Sequence, residues 1–333
     1  MNLLKSCIYG LSRSLAKPLV SPELLILSLT DCCNLKCITC NIKREADKEL
    51  LRVDTAKIFD IVRQAKGMKI KTVVLSGGEP FLVKEIFEIA EYIQKQGMSI
   101  SVTTNGAYGE EMARRIALSK INHIHFSCDG LAAGNDEIRG QGSYDRLIRT
   151  VKLIRQLNPD KSIGFGCVVC SRNCNDLFEM TMVADDLGVN SINFIPFLAN
   201  NIDPQHSSKG HQHHYLWPDE NNLADLERNL RKISGHKYRR LDISPSPDFR
   251  LLLDYYRLKP IRKKCFAGYK SVIITASRMH EGRMVSDVFF CQDSCGNIYD
   301  TTLKEAWNSL KAKDMRLKAR ACNNPCLQFC HYI

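Results

Sequence analysis

From residue 24 onward the chain alternates short β-type runs with stretches whose apolar residues recur at helical period. The β-type runs are LLILSLT (24–30), KTVVLSG (71–77), SISVTTN (99–105), HIHFSCD (123–129), SIGFGCVV (162–169) and NSINFIPF (190–197). Helical patterns lie between and after them, near 54–66, 83–96, 110–119, 145–157 and 175–187. Such alternation predicts about six βα units and a parallel sheet. Each run ends in polar, Gly-containing or Cys-containing sequence, so chemistry is expected at the carboxyl ends of the strands.

Outside this repeat the pattern changes. Residues 1–23 place Leu3, Leu4, Cys7, Ile8, Leu11 and Leu15 at helical spacing with Lys5, Arg13 and Lys17 and no acid before residue 23. A helix packed on the protein's own body is expected there, with a membrane-surface helix as the weaker alternative. Residues 201–262 read as a bridging region holding one helix, NLADLERNLRKI. Residues 263–333 carry a hairpin pattern (SVIITAS, then MVSDVFFC) and a helix near 302–312.

Composition narrows the function classes. A chain of 333 residues with 44% hydrophobic residues can bury a full core. The net charge of +11 comes from scattered Lys and Arg with only short basic groups, so a solvated basic face is expected and no nucleic-acid partner. No apolar run approaches the roughly 18 residues that span a bilayer. Fifteen cysteines are clustered, with no export signal ahead of them, which fits metal-bound thiolates in a reducing cytoplasm better than disulfides.

Four of those cysteines fall in DCCNLKCITC, just after the first run. Cys33, Cys37 and Cys40 have C-x3-C-x2-C spacing, which can ligate three irons of a 4Fe-4S cube and leave the fourth open. Zinc is the competing reading, but structural zinc wants four ligands and no second pair lies nearby.

Here the sequence resembles the radical S-adenosylmethionine (SAM) superfamily, over roughly residues 24–200. The resemblance implies a partial (β/α)6 TIM-type barrel, with Cys33, Cys37 and Cys40 holding the cluster and SAM chelating the open iron. Reductive cleavage would then give a 5′-deoxyadenosyl radical. Cys32 is an unassigned neighbour, and Thr39 stands where the family usually has an aromatic residue that contacts adenine through its backbone.

Five later segments fall in the family's order. SGGEP supplies Gly77, Gly78 and Glu79, the last implied to receive the SAM amino group; TTNG supplies Thr104 and Asn105. FSCDG and the following IRG supply Ser127, Asp129 and Arg139, implied to lie near ribose and carboxylate. CVVC and NFIPF supply Val168 and Ile195, implied to pack on adenine.

The C-terminal cysteines resemble the SPASM or twitch extension of these enzymes, which holds auxiliary 4Fe-4S clusters. At least one auxiliary cluster is implied, with Cys265, Cys291, Cys322 and Cys326 as ligands and Cys330 as the alternate fourth. Cys295 or Cys330 would then be a spare thiol able to donate a hydrogen atom.

HQHH (211–214) reads as a polar loop, Cys167, Cys170 and Cys174 as buried thiols, and His125, Asp129 and Tyr144 as candidate acid–base groups. The whole predicts an oxygen-sensitive oxidoreductase or epimerase fed by a flavodoxin or ferredoxin. With about 24 residues ahead of the barrel and no leader-recognition domain, the expected substrate is a small carbohydrate-like or natural-product molecule, and a peptide side chain is the second choice. A metal-binding module holding nucleic acid is the distant third.

Overall fold

Period-two alternation within the β-runs gives the sheet its two unlike faces. The computed structural model describes residues 3–42, 53–199, 202, 211–244, 249–261, 264–289 and 294–322. Helix α1 (Leu3–Ser14) precedes six strands, β1 (Leu24–Thr30), β2 (Thr72–Gly77), β3 (Ser99–Thr104), β4 (His123–Ser127), β5 (Ser162–Val169) and β6 (Ser191–Pro196). They pair in parallel and in chain order, as a partial barrel requires. Helices α2 (Thr55–Gly67), α3 (Ile86–Lys95), α4 (Glu110–Leu118), α5 (Ala132–Arg139), α6 (Ser143–Leu157) and α7 (Leu177–Asp186) occupy the connections.

One face of the strands is apolar. Leu25, Leu27, Val73, Leu75, Ile100, Val102, Ile124 and Phe126 are buried with Ile58, Ile61, Ile89, Ile116, Val151 and Ile154 of the helices. Each such side chain is worth about 1.5–3 kcal/mol when removed from water. The alternate positions are mixed: Leu24, Ile26 and Val74 on β1 and β2, then Ser101 and Thr103, His123, His125 and Ser127, Ser162, Gly164 and Gly166, Ser191 and Asn193 on β3 to β6, with Val168 and Ile195 near the carboxyl ends. The lumen is thus apolar beside β1 and β2 and largely polar from β3 to β6.

Helix α5 departs from expectation, because the sequence pattern shows no helix between β4 and residue 145. Asp136 explains the pair α5 and α6: its carboxylate accepts from the Gly142 and Tyr144 N–H groups and the Ser143 hydroxyl, starting α6 at Ser143.

After β6 come α8 (Glu220–Gly235), closed by an Asp219–Asn222 capping box, then β7 (Asp242–Ser244) beside β6 and α9 (Arg250–Tyr256). The remaining strands are β8 (Ser271–Ile274), β9 (Arg278–His280), β10 (Arg283–Val285), β11 (Asp287–Phe289) and β12 (Ser294–Asn297). β8 pairs with β11 as the hairpin pattern implied, but β9 and β10 form a second hairpin between them. β8 also pairs in parallel with β1, from Leu24↔Ser271 to Leu27↔Ile274, so the C-terminal strands extend the barrel sheet. The expected single helix near 302–312 is two, α10 (Leu303–Asn308) and α11 (Leu310–Ala321), because extended Ser309 ends one and caps the next.

Candidate active site

The carboxyl ends of β1 to β5 open on a cavity of about 460 Å³. Cys33, Cys37 and Cys40 line it, with Thr39, Gly77, Gly78, Thr104, Asn105, Ser127, Arg139 and Val168. A larger cleft of about 700 Å³ between α8 and α9 contains no cysteine.

The cysteine loop is seated by backbone bonds to its neighbours. The Gly78 N–H donates to the Thr30 carbonyl (2.7 Å), the Glu79 N–H to the Cys32 carbonyl (2.8 Å), and the Ile38 N–H to the Ile138 carbonyl of α5 (2.9 Å). A Cβ at Gly78 would run into the Cys32 carbonyl oxygen, so only glycine lets the two loops close so tightly.

Each of the three thiols receives at least one N–H group, Cys33 taking the Leu35 backbone as well. The Asn105 amide donates to Cys33 Sγ (3.7 Å), the Arg139 guanidinium to Cys37 Sγ (3.9 Å), and the Ile42 N–H to Cys40 Sγ (3.3 Å). Asn105 is aimed by Asn34, whose Oδ1 accepts from it at 2.7 Å. Burial raises the Cys33 thiol pKa and pushes Cys37 up to about 11, with Arg139 pulling the latter back.

Three sequence-derived positions lie outside this cavity wall. Glu79 is fully buried, and its carboxylate accepts from the Phe81 N–H, the Thr104 hydroxyl and the Asn105 N–H; it clamps the ends of β2 and β3. Asp129 is also buried, pairing with Arg139 (2.7 Å) and accepting from the Val168 N–H (2.7 Å). It positions Arg139, whose pKa burial would lower but Asp129 and Cys37 raise, keeping it charged. Ile195 is in register with Val168 one strand further on, off the wall.

The family profile described as the radical SAM superfamily matches residues 27–177, the segment that builds this cavity. This segment is a radical SAM domain. A probable GTP 3′,8-cyclase of Saccharolobus islandicus is 27% identical over 218 residues, 65% of this chain and 67% of the relative. PqqA peptide cyclase of Gluconobacter oxydans is 25% identical over 302 residues, 86% of this chain and 76% of the relative. The fold is shared with Streptococcus suis SuiB (TM-score 0.68, 18% identity, 95% of this chain and 72% of that one). It is shared too with anSMEcpe with bound AdoMet (TM-score 0.64, 20% identity, 87% and 82%).

A radical SAM enzyme needs a 4Fe-4S cube, and the residues present suit one. Among the described residues no three His, Cys, Asp or Glu side chains converge on a single-ion site. Three thiols spread along one wall, each with its own N–H donor, suit an object whose irons each take one thiolate. Cys32, by contrast, is buried and lines no part of the cavity.

Of the proposed auxiliary ligands, Cys291, Cys326 and Cys330 lie outside the described residues. Cys265 is buried against Ala319, and Arg13 donates to the carbonyls of both Cys265 and Arg320. That bond pair brings Cys265 to the last turn of α11, which leads to exposed Cys322. Cys295 is buried under α10 in the main core. Cys167, Cys170 and Cys174 are divided between two apolar clusters and converge on nothing. The HQHH segment is less loop-like than expected: 211–213 form a 3-10 turn, and His214 stacks on Tyr215 and packs on Phe197.

The lumen is the feature that motif reading missed. A Cβ at Gly164 would stand 2.9 Å from both His123 Nε2 and His125 Nδ1, and one at Gly166 would stand 2.6 Å from His125 Nε2. The two strand glycines make room for two imidazoles, with His123 Nδ1 bonded to Ser162 Oγ at 2.8 Å. Burial lowers the His125 pKa to about 4, helped by His123. Its neutral form is the folded form, so stability is present above the unfolded value of about 6.5 and is lost as pH falls towards 4. Urea unfolding should show about 3 kcal/mol lost over that window, and His125→Gln should flatten the loss.

Proposed function

We propose that this radical SAM enzyme uses the cavity under Cys33, Cys37 and Cys40 to oxidise or crosslink a peptide or protein side chain. What carries the reading is that three thiols share one cavity wall, each held by a different N–H donor. Cys33, Cys37 and Cys40 would hold a 4Fe-4S cube, which together with SAM would supply the electron and the 5′-deoxyadenosyl radical.

The chain's own residues do the rest. Gly77 and Gly78 let a ligand approach the backbone, Thr39 and Val168 offer an apolar rim, and Ser127 and Arg139 offer polar groups to a ribose and a carboxylate. The substrate would enter the same cavity, beside Thr103, Ser127 and Val168. Cys265 and Cys322, with cysteines beyond the described residues, would hold at least one auxiliary cluster. A flavodoxin- or ferredoxin-type protein would supply electrons.

Peptide is favoured over a small carbohydrate because the likeness that extends through the C-terminal unit is to PqqA peptide cyclase, covering 86% of this chain. The match to the GTP 3′,8-cyclase stops at 65%. SuiB, solved with precursor peptide SuiA, adds support at the level of fold. The polar groups that Thr103, Asn105 and Ser127 bring to the cavity favour the second reading, a small hydroxylated molecule.

The test is 5′-deoxyadenosine formation from SAM and dithionite by anaerobically reconstituted protein, with and without a low-mass cell extract. Stimulation that protease treatment of the extract removes supports the peptide. Stimulation that survives protease moves the substrate to the small-molecule class. Stoichiometric zinc and no 5′-deoxyadenosine would sink the enzyme reading itself.

A further inference from the structure

Helix α1 packs on the body of the protein through buried Tyr9 and Ser12, yet it and the turn after it leave Leu11, Leu15 and Leu19 exposed at 52%, 57% and 44%. Leu310 and Leu317 of α11 are exposed at 80% and 37%. Five of the eleven large exposed hydrophobic side chains among the described residues thus fall in two short segments. Scattered single leucines need no explanation, but a cluster does.

The two segments adjoin. Arg13 donates to the Arg320 carbonyl and Arg320 donates back to the Ser14 carbonyl, at the C-terminal end of α11. Leu19 shares a cleft with Trp307 and Asn308 at its N-terminal end. The Leu19 N–H donates to Ser12 Oγ, so the turn is fixed with its leucines outward.

The same region is cationic. Residues 1–20 hold three basic residues and no acid; residues 310–321 hold five against Asp314 alone. Lys17, Lys311, Lys313, Lys318 and Arg320 are all exposed beside the leucines.

We infer that the α1–α11 face docks on an anionic lipid surface, leucines in the interface and lysines among the headgroups. Both halves of the face are used only there. A nucleic acid would meet the lysines and leave the leucines in water; a second copy of this chain would set like charges against each other. Among the described residues no helix is long and apolar enough to cross a membrane, so the contact is peripheral. The inference stands independently of the substrate.

The experiment is co-sedimentation of the reconstituted full chain with vesicles of phosphatidylglycerol and phosphatidylcholine, and with phosphatidylcholine alone. Binding is expected only to the anionic vesicles, and it should fall about tenfold or more on raising salt from ~0.05 to ~0.5 M. Leu15→Asp with Leu310→Asp, and separately Lys313→Glu with Lys318→Glu, should each weaken it about tenfold while melting temperature and basal SAM cleavage stay unchanged. The charge pair keeps the test decisive if the leucine pair alters folding. No binding to anionic vesicles, equal binding by both variants, or equal binding to neutral vesicles overturns the inference. So does a concentration-dependent dimer that the leucine variant abolishes, or salt-sensitive RNA binding that outcompetes the vesicles.

Discussion

Alanine at any one of Cys33, Cys37 or Cys40 is expected to leave reconstituted protein pale, short of iron and without measurable 5′-deoxyadenosine. The three thiols line one wall, and each is approached by its own donor: Asn105, Arg139 and the Ile42 N–H. Removing one leaves two thiolates and an unused donor, and no other described cysteine lies on that wall to replace it. Cys32→Ala is the control within the same loop. Its side chain is buried away from the cavity, so colour, iron and 5′-deoxyadenosine should stay within about twofold of the parent. Visible absorbance, iron analysis and product chromatography read the two cases apart; loss in Cys32→Ala equal to that in Cys37→Ala would contradict the assignment.

Arg139→Met is expected to cost about 3–5 kcal/mol of stability, because it strands the Asp129 carboxylate in a site fully closed to water. The Val168 N–H would be its remaining partner. Adding Asp129→Asn should recover most of that loss, since a neutral amide oxygen still accepts from Val168 and carries no charge. What it should not recover is the donor to Cys37 Sγ. The double variant is therefore predicted to fold like the parent but to hold its cluster at an altered reduction potential, seen in a redox titration followed by electron paramagnetic resonance. A double variant with parental potential would mean that the Arg139–Cys37 contact has no electrostatic consequence.

The six barrel strands were legible because alternation within each run is enforced by a core on one side only, and the structure moves their ends by only one or two residues. Helix α5 was not legible: AAGNDEIR has little apolar periodicity and is held by polar side chains, with Asn135 bonded to Ser143 and the Asp129 N–H, and Arg139 to Asp129. The cysteine spacing pointed to three thiols that do share one cavity wall, whereas the bracing contacts of Glu79 and Asp129 could not be read from residue type. A carboxylate in a motif can meet a ligand or brace the loop that does, and only its neighbours decide. Asn34 and Asn105 show the same limit, since nothing local signals that one amide aims the other at a thiol. The histidine pair was visible as HIH, but its partner signal, SIGFG, lies some 40 residues on and gains meaning only when the strands pair.

The pairing of β8 with β1 has a bearing on biogenesis. β1 carries the cysteine loop at its end, yet one of its two edges is satisfied only by residues 271–274, about 250 positions later in the chain. Closing so long a loop is slow and entropically costly. A nascent chain therefore emerges from the ribosome with β1 bare along one side until residues 271–274 have followed it. A partly made chain accordingly presents an unpaired parallel edge that invites wrong strand pairing, and shielding that edge becomes a requirement of synthesis.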